Sequence, residues 1–130
     1  MKPKLFKTTI AEYEQAEWNG KNESGWDAFG DHVIVIPDHV PDQSAGGVHY
    51  TQDIVDRHTM AAEGGVIVSI GDGCFKWNSN GTPFEGRMPK LGDRVSIGRY
   101  SGQALMGHDE VRYRILNSSE IGAIQERVVQ

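Results

Sequence analysis

Apolar residues in this chain gather in short β-branched runs separated by glycine, and they seldom recur at helical spacing. Residues 31–36, Asp-His-Val-Ile-Val-Ile, run into Pro37 and predict a strand with a stop. Val66-Ile67-Val68-Ser69-Ile70 predicts a second strand, ended by Gly71-Asp72-Gly73. Phe75 and Trp77 precede Asn78-Ser79-Asn80-Gly81, a hairpin turn signal. Pro89-Lys90-Leu91-Gly92-Asp93 turns the chain into a strand at Arg94-Val95-Ser96-Ile97. Residues 103–106 and 110–116 predict a hairpin across Gly107-His108-Asp109. In its second strand Val111, Tyr113 and Ile115 alternate with Arg112 and Arg114, which predicts one buried face and one wet face. Ser118-Ser119-Glu120 begins a short turn, and residues 123–129 read as a last, exposed strand. Short strands at close intervals, with glycine turns between them, predict an all-β fold, a small barrel.

Two segments depart from this pattern. Residues 37–64 sustain neither a period of two nor one of 3.6 and are punctuated by Pro37, Pro41 and Gly46-Gly47. A stretch of that length without regular structure is characteristic of a functional loop. Residues 1–27 read as an N-terminal extension, leaving a barrel domain over 28–130. Thr9-Ile10-Ala11-Glu12 fits a capping box and Asn19-Gly20 a stop, so a short helix over 10–18 is expected. Phe6, Tyr13, Trp18 and Trp26 give the extension a share of aromatics that disordered tails lack, so it is expected to pack on the barrel, through Trp18 or Trp26.

Composition narrows the function. The 130 residues suffice for one domain, and 16 of them are glycine, which favours turns over helices. The net charge of -5 is concentrated in residues 37–64, where Asp38, Asp42, Asp53, Asp56 and Glu63 face only Arg57. No basic stripe exists for nucleic acid and no apolar run is long enough to span a membrane, so neither is an expected partner. The first residues lack an apolar secretory core, and the single cysteine, Cys74, fits a reducing cytoplasm.

Six motifs, in order, resemble the GroES-type co-chaperonins, the ten-kilodalton chaperonin family. They are Gly30-Asp31-His32-Val33-Ile34-Val35, Ser44-Ala45-Gly46-Gly47-Val48, the strand and glycine turn from Gly65 to Gly73, Pro89-Lys90-Leu91-Gly92-Asp93-Arg94-Val95, Gly98-Arg99-Tyr100-Ser101-Gly102, and Glu120-Ile121-Gly122-Ala123-Ile124. The resemblance covers about residues 28–128. It implies a GroES-like β-barrel with a roof hairpin over about 75–84 and a long mobile loop over about 38–63. It implies further a homoheptameric dome that caps an ATP-bound GroEL-type chaperonin and encloses client proteins for folding. Such a protein is not an enzyme and has no cofactor of its own, the ATP being bound and hydrolysed by the partner. Chaperonin binding falls on Gly46, Gly47, Val48, His49 and Tyr50, with Ile54 and Val55 as a rival anchor in the same loop. The subunit interface falls on Val33, Val35, Ile121, Ala123 and Ile124, because the family's C-terminal strand pairs with the neighbour's N-terminal strand. Val48-His49-Tyr50 departs from the aliphatic triplet of the family's loop, the loop is longer than usual, and the N-terminal extension is foreign to ordinary bacterial members. Together these suggest a bacteriophage-encoded version acting in its host's cytoplasm.

Other chemistries fit less well. Asp31, His32, Asp38, His39, His49, Asp53, Asp56 and His58 are metal-ligand types, the basis of an alternative reading as a small metal-dependent enzyme, but they lack a ligand spacing. Phe75, Trp77 and Tyr100 offer an alternative reading as an aromatic platform for single-stranded nucleic acid on an OB-like barrel, against the acidic charge. Cys74 has no histidine at a catalytic spacing and reads as a structural thiol.

Overall fold

The computed structural model describes residues 5–7, 12–39, 57, 59–75 and 88–125. Among the described residues eight strands form, in chain order: β1 (Leu5–Lys7), β2 (Glu12–Glu14), β3 (His32–Pro37), β4 (Gly64–Ile70), β5 (Arg94–Ile97), β6 (Gln103–Met106), β7 (Arg112–Asn117) and β8 (Ile121–Ile124). A 3₁₀ turn, Ser118–Glu120, joins the last two, and the Asn117 N–H donates to the Glu120 carboxylate at 3.0 Å. Strands β3 to β8 make one antiparallel sheet in the order β6-β7-β3-β4-β5-β8. The all-β expectation holds, with strand positions close to those the β-branched runs and glycine turns predict. The roof hairpin expected over 75–84 lies, beyond Phe75, outside the described residues.

The sheet buries apolar side chains on both faces. On one face Val33, Val35, Ile67, Cys74, Val95, Ile97 and Leu116 form the main core. On the other, Ile34, Val68 and Tyr113 form a second cluster, joined by half-buried Trp18, Ala28, Ile36, Leu105 and Ile115. A bulge makes the second cluster possible. The β3–β4 register slips between Ile34, opposite Ser69, and Val35, opposite Ile67, so Val68 is the extra residue. Val68 therefore joins Ile34 and Tyr113, while the neighbouring Ser69 hydroxyl accepts the Ala28 N–H at 2.9 Å.

That second face is covered by residues 15–29, which run as a strap without regular structure. Trp18 packs in the cluster and its indole N–H donates to the Lys21 carbonyl at 2.8 Å. Ser24 is fully buried and its carbonyl accepts the His108 N–H at 2.7 Å. The Trp26 indole donates to the Met106 carbonyl at 3.1 Å, although the ring stays 45% exposed. The helix expected over 10–18 does not form. Glu12–Glu14 pairs instead with Leu5–Lys7 as an antiparallel ladder, Phe6 opposite Tyr13. A helix of two turns is marginal by itself, and a strand partner a few residues away outweighs one capping box.

Gly25 fixes the strap's bend at φ +80°, and a Cβ there would lie 2.3 Å from the His108 imidazole. Gly25→Ala is expected to cost about 1–2 kcal/mol, mostly from the left-handed backbone. A lower denaturation midpoint at unchanged slope checks this, and a midpoint equal to wild type refutes it.

β7 corrects the simple alternation. Tyr113 is buried on the strap side, its hydroxyl donating to the Asp109 carboxylate at 2.6 Å. Burial, and then that hydrogen bond, push the phenol's pKa up. Arg114, expected on a wet face, is 0% exposed, the largest fully buried side chain among the described residues.

Candidate functional site at the loop neck

The expected chaperonin-binding residues Gly46, Gly47, Val48, His49 and Tyr50, and the rival Ile54 and Val55, lie outside the described residues. Both roots of their loop are described, and each is held by a buried charge.

The outgoing root is Asp38. It follows β3, is 1% exposed, and its backbone N–H donates to the Gly64 carbonyl at 2.9 Å. The loop therefore leaves and returns at one hydrogen bond. The Asp38 carboxylate forms a two-pronged ion pair with Arg94 of β5, Nη1 to Oδ1 and Nη2 to Oδ2, both 2.5 Å. Oδ1 also accepts the N–H of Ala16, in the strap, at 3.0 Å. Gly64 is required beside this pair, since a Cβ there would sit 2.8 Å from Asp38 Oδ2 and 2.9 Å from Arg94 Nη2. Asp38, read from the sequence as the first residue of the long mobile loop, is thus part of the interior.

The returning root spans residues 59–63. Residues 59–61 take helical backbone, and Thr59, Ala61 and Ala62 are buried. Arg114 donates from Nη1 to the Ala62 carbonyl at 2.7 Å, and from Nη2 to the carbonyls of Gly98 at 2.9 Å and Ser101 at 2.6 Å. Tyr100, at φ 59°, turns its N–H onto the Met60 carbonyl at 2.7 Å, and the Ile97 N–H reaches the Glu63 carbonyl at 2.9 Å. The Gly98–Gly102 bend thus grips the root together with Arg114. Spacing alone gives no signal for either buried charge, because their partners are distant in sequence.

The expected interface residues divide. Val33 and Val35 are 0% exposed in the subunit's own core, and β3 is paired on both edges, with β4 and β7. They shape the sheet and present no side chain outward. Ile121 and Ile124 are half-buried against the core and Ala123 is exposed, all on β8, which ends the sheet beyond β5. Phe29, just before β3, is 85% exposed.

The alternative chemistries find no assembled site among the described residues. No group of three or more His, Cys, Asp or Glu there is placed to hold a metal ion. Asp38, a nominal ligand, is engaged by Arg94. Cys74 is buried with its Sγ 3.2 Å from the His32 carbonyl, and burial pushes its thiol pKa up, which opposes nucleophile character. Phe75 packs against the core, while Tyr100 is exposed beside the Arg99 guanidinium, so the two do not share a platform; Trp77 lies outside the described residues.

Comparison with known proteins covers this same architecture. The family described as Chaperonin 10 Kd subunit matches residues 26–125. A curated protein, Co-chaperonin GroES of Phocaeicola vulgatus, is 29% identical over 94 residues, covering 72% of this chain and 90% of its own length.

Proposed function

The chain belongs to the chaperonin 10 kDa family of GroES-type co-chaperonins, and from that premise we propose that seven copies form a dome that caps a GroEL-type chaperonin. The family match over residues 26–125 carries this reading. The loop rooted at Asp38 and at residues 59–63 supplies the contact, with Val48 and Tyr50 as apolar anchors behind the paired Gly46-Gly47 and with His49 between them. Client proteins fold in the enclosed chamber. The cap performs no chemistry, needs no cofactor of its own and depends on ATP bound by the partner. β8 forms the seam, Ile121, Ala123 and Ile124 meeting the region around Phe29 of the next copy. An edge strand with one side unpaired among the described residues is suited to that role. The setting is the cytoplasm, that of an infected host if the gene is carried by a bacteriophage.

Light scattering and co-sedimentation test the proposal together. A heptamer should scatter as roughly 100 kDa and should sediment with a GroEL-type chaperonin only when nucleotide is present. A monomer, or a ring that ignores the chaperonin with and without nucleotide, would refute it.

A further inference from the structure

The strap does more than cover the second face, because one of its hydrogen bonds ends on the loop root. Ala16, 8% exposed, gives its N–H to Asp38 Oδ1, the same oxygen that Arg94 Nη1 holds. The strap is fixed independently at four further points: Trp18 in the second apolar cluster, Ser24 on His108, Trp26 on Met106, and Ala28 on Ser69. Trp18 also lies against the turn that leads into β5, where a Cβ on Gly92 would be 3.4 Å from its ring. The strap therefore touches Asp38 directly and lies against the turn two residues before Arg94. We propose that residues 15–29 are a positioning element for the chaperonin-binding loop, acting through the Ala16–Asp38–Arg94 junction to fix the direction in which the loop leaves the barrel.

This rests on the loop contact proposed above. A docked loop must give up chain freedom, and a root already held in place lowers that cost. Removing the strap's hold leaves the six-stranded sheet paired but lets the root sample directions in which the loop misses its groove. Each loop then binds slightly less well. If seven loops engage one partner, a twofold loss in each compounds to on the order of a hundredfold in capping. The coupling is reciprocal, so a captured loop must in turn stabilise the docked strap.

Ala16→Pro deletes the donating N–H and leaves Asp38 and Arg94 in place, and Trp18→Ala loosens the strap while keeping every hydrogen-bonding group of the Ala16–Asp38–Arg94 junction. In the full-length ring, both variants should speed deuterium exchange at the Asp38 amide. They should also raise the ring concentration for half-maximal nucleotide-dependent capping at least tenfold, with ring mass unchanged. Asp38→Asn, whose oxygen can still accept from Ala16 and from one Arg94 N–H but which abolishes the ion pair, should weaken capping in the same direction. Faster exchange at Asp38 with a capping curve that superimposes on wild type would reduce the strap to a cover and overturn the inference. So would unchanged exchange at Asp38, since the strap would then not hold the root. If Ala16→Pro fails to assemble, the same criteria apply to Trp18→Ala. A wild-type ring that never caps removes the loop reading and this inference together, a failure recognised before any variant is compared.

Discussion

Arg114→Ala is expected to lose about 3–5 kcal/mol of stability, from backbone acceptors left without their donor and from the cavity a large buried side chain leaves. The guanidinium is 0% exposed and serves three backbone carbonyls, those of Ala62, Gly98 and Ser101. Truncation leaves those acceptors without this donor and opens a cavity beneath Leu116's strand. For a domain of this size the midpoint of thermal unfolding should fall by roughly 10–20 °C, compared at matched protein concentration. Arg114→Met refills much of the volume and leaves the carbonyls unserved, so it should recover only part of the loss. Calorimetry or denaturant titration reads both. A change below about 1 kcal/mol in the alanine variant would mean that water replaces the guanidinium at no cost.

Val48→Asp, or Tyr50→Ala, is expected to leave the ring assembled and abolish nucleotide-dependent capping. If the segment docks extended, side chains alternate, so Val48 and Tyr50 enter the apolar groove and His49 points away. Two such anchors contribute very roughly 3–5 kcal/mol per loop before ordering costs. A loss of about 1 kcal/mol per loop, repeated over seven loops, approaches about 7 kcal/mol for the ring. His49→Leu should keep or tighten capping. Co-sedimentation at a fixed nucleotide concentration distinguishes the cases. Survival of capping in the Val48 and Tyr50 variants, with loss when Ile54 and Val55 become serine, would move the anchor further along the loop. Capping insensitive to all four positions would sink the loop as the contact.

Local pattern carries far in this sequence, and its failures have a common cause. β3 and β4 are legible because their Val-Ile-Val runs end at proline or glycine, and β5 because Val95 and Ile97 alternate with polar residues between two glycine turns; both the ladder and the turn are local signals. β7 is legible as a strand, but Arg114 is not legible as a buried residue. Alternation assigns a charge to solvent unless something distant receives it, and Ala62 is 52 residues away. Asp38 fails in the same way, since its place beside prolines and other acids suggests a wet loop, while Arg94 waits 56 residues on. The helix over 10–18 fails because a capping box describes only one end of one element, and the competing ladder is seen only when Leu5–Lys7 is brought opposite Glu12–Glu14. For the candidate site, the sequence motifs single out the loop proposed as the contact, whereas the charges that hold its two roots emerge only from the fold.

The two-faced sheet also changes where this protein begins. Homology starts at residue 26, yet Trp18 and Ala16 already belong to the folded body, one in the second apolar cluster and one on a buried carboxylate. A protein trimmed to the homologous segment would uncover Ile34, Val68 and Tyr113 and present them to water or to other chains. The segment that matches the family and the packed body thus have different first residues, and expression boundaries drawn from the former would cut through the latter.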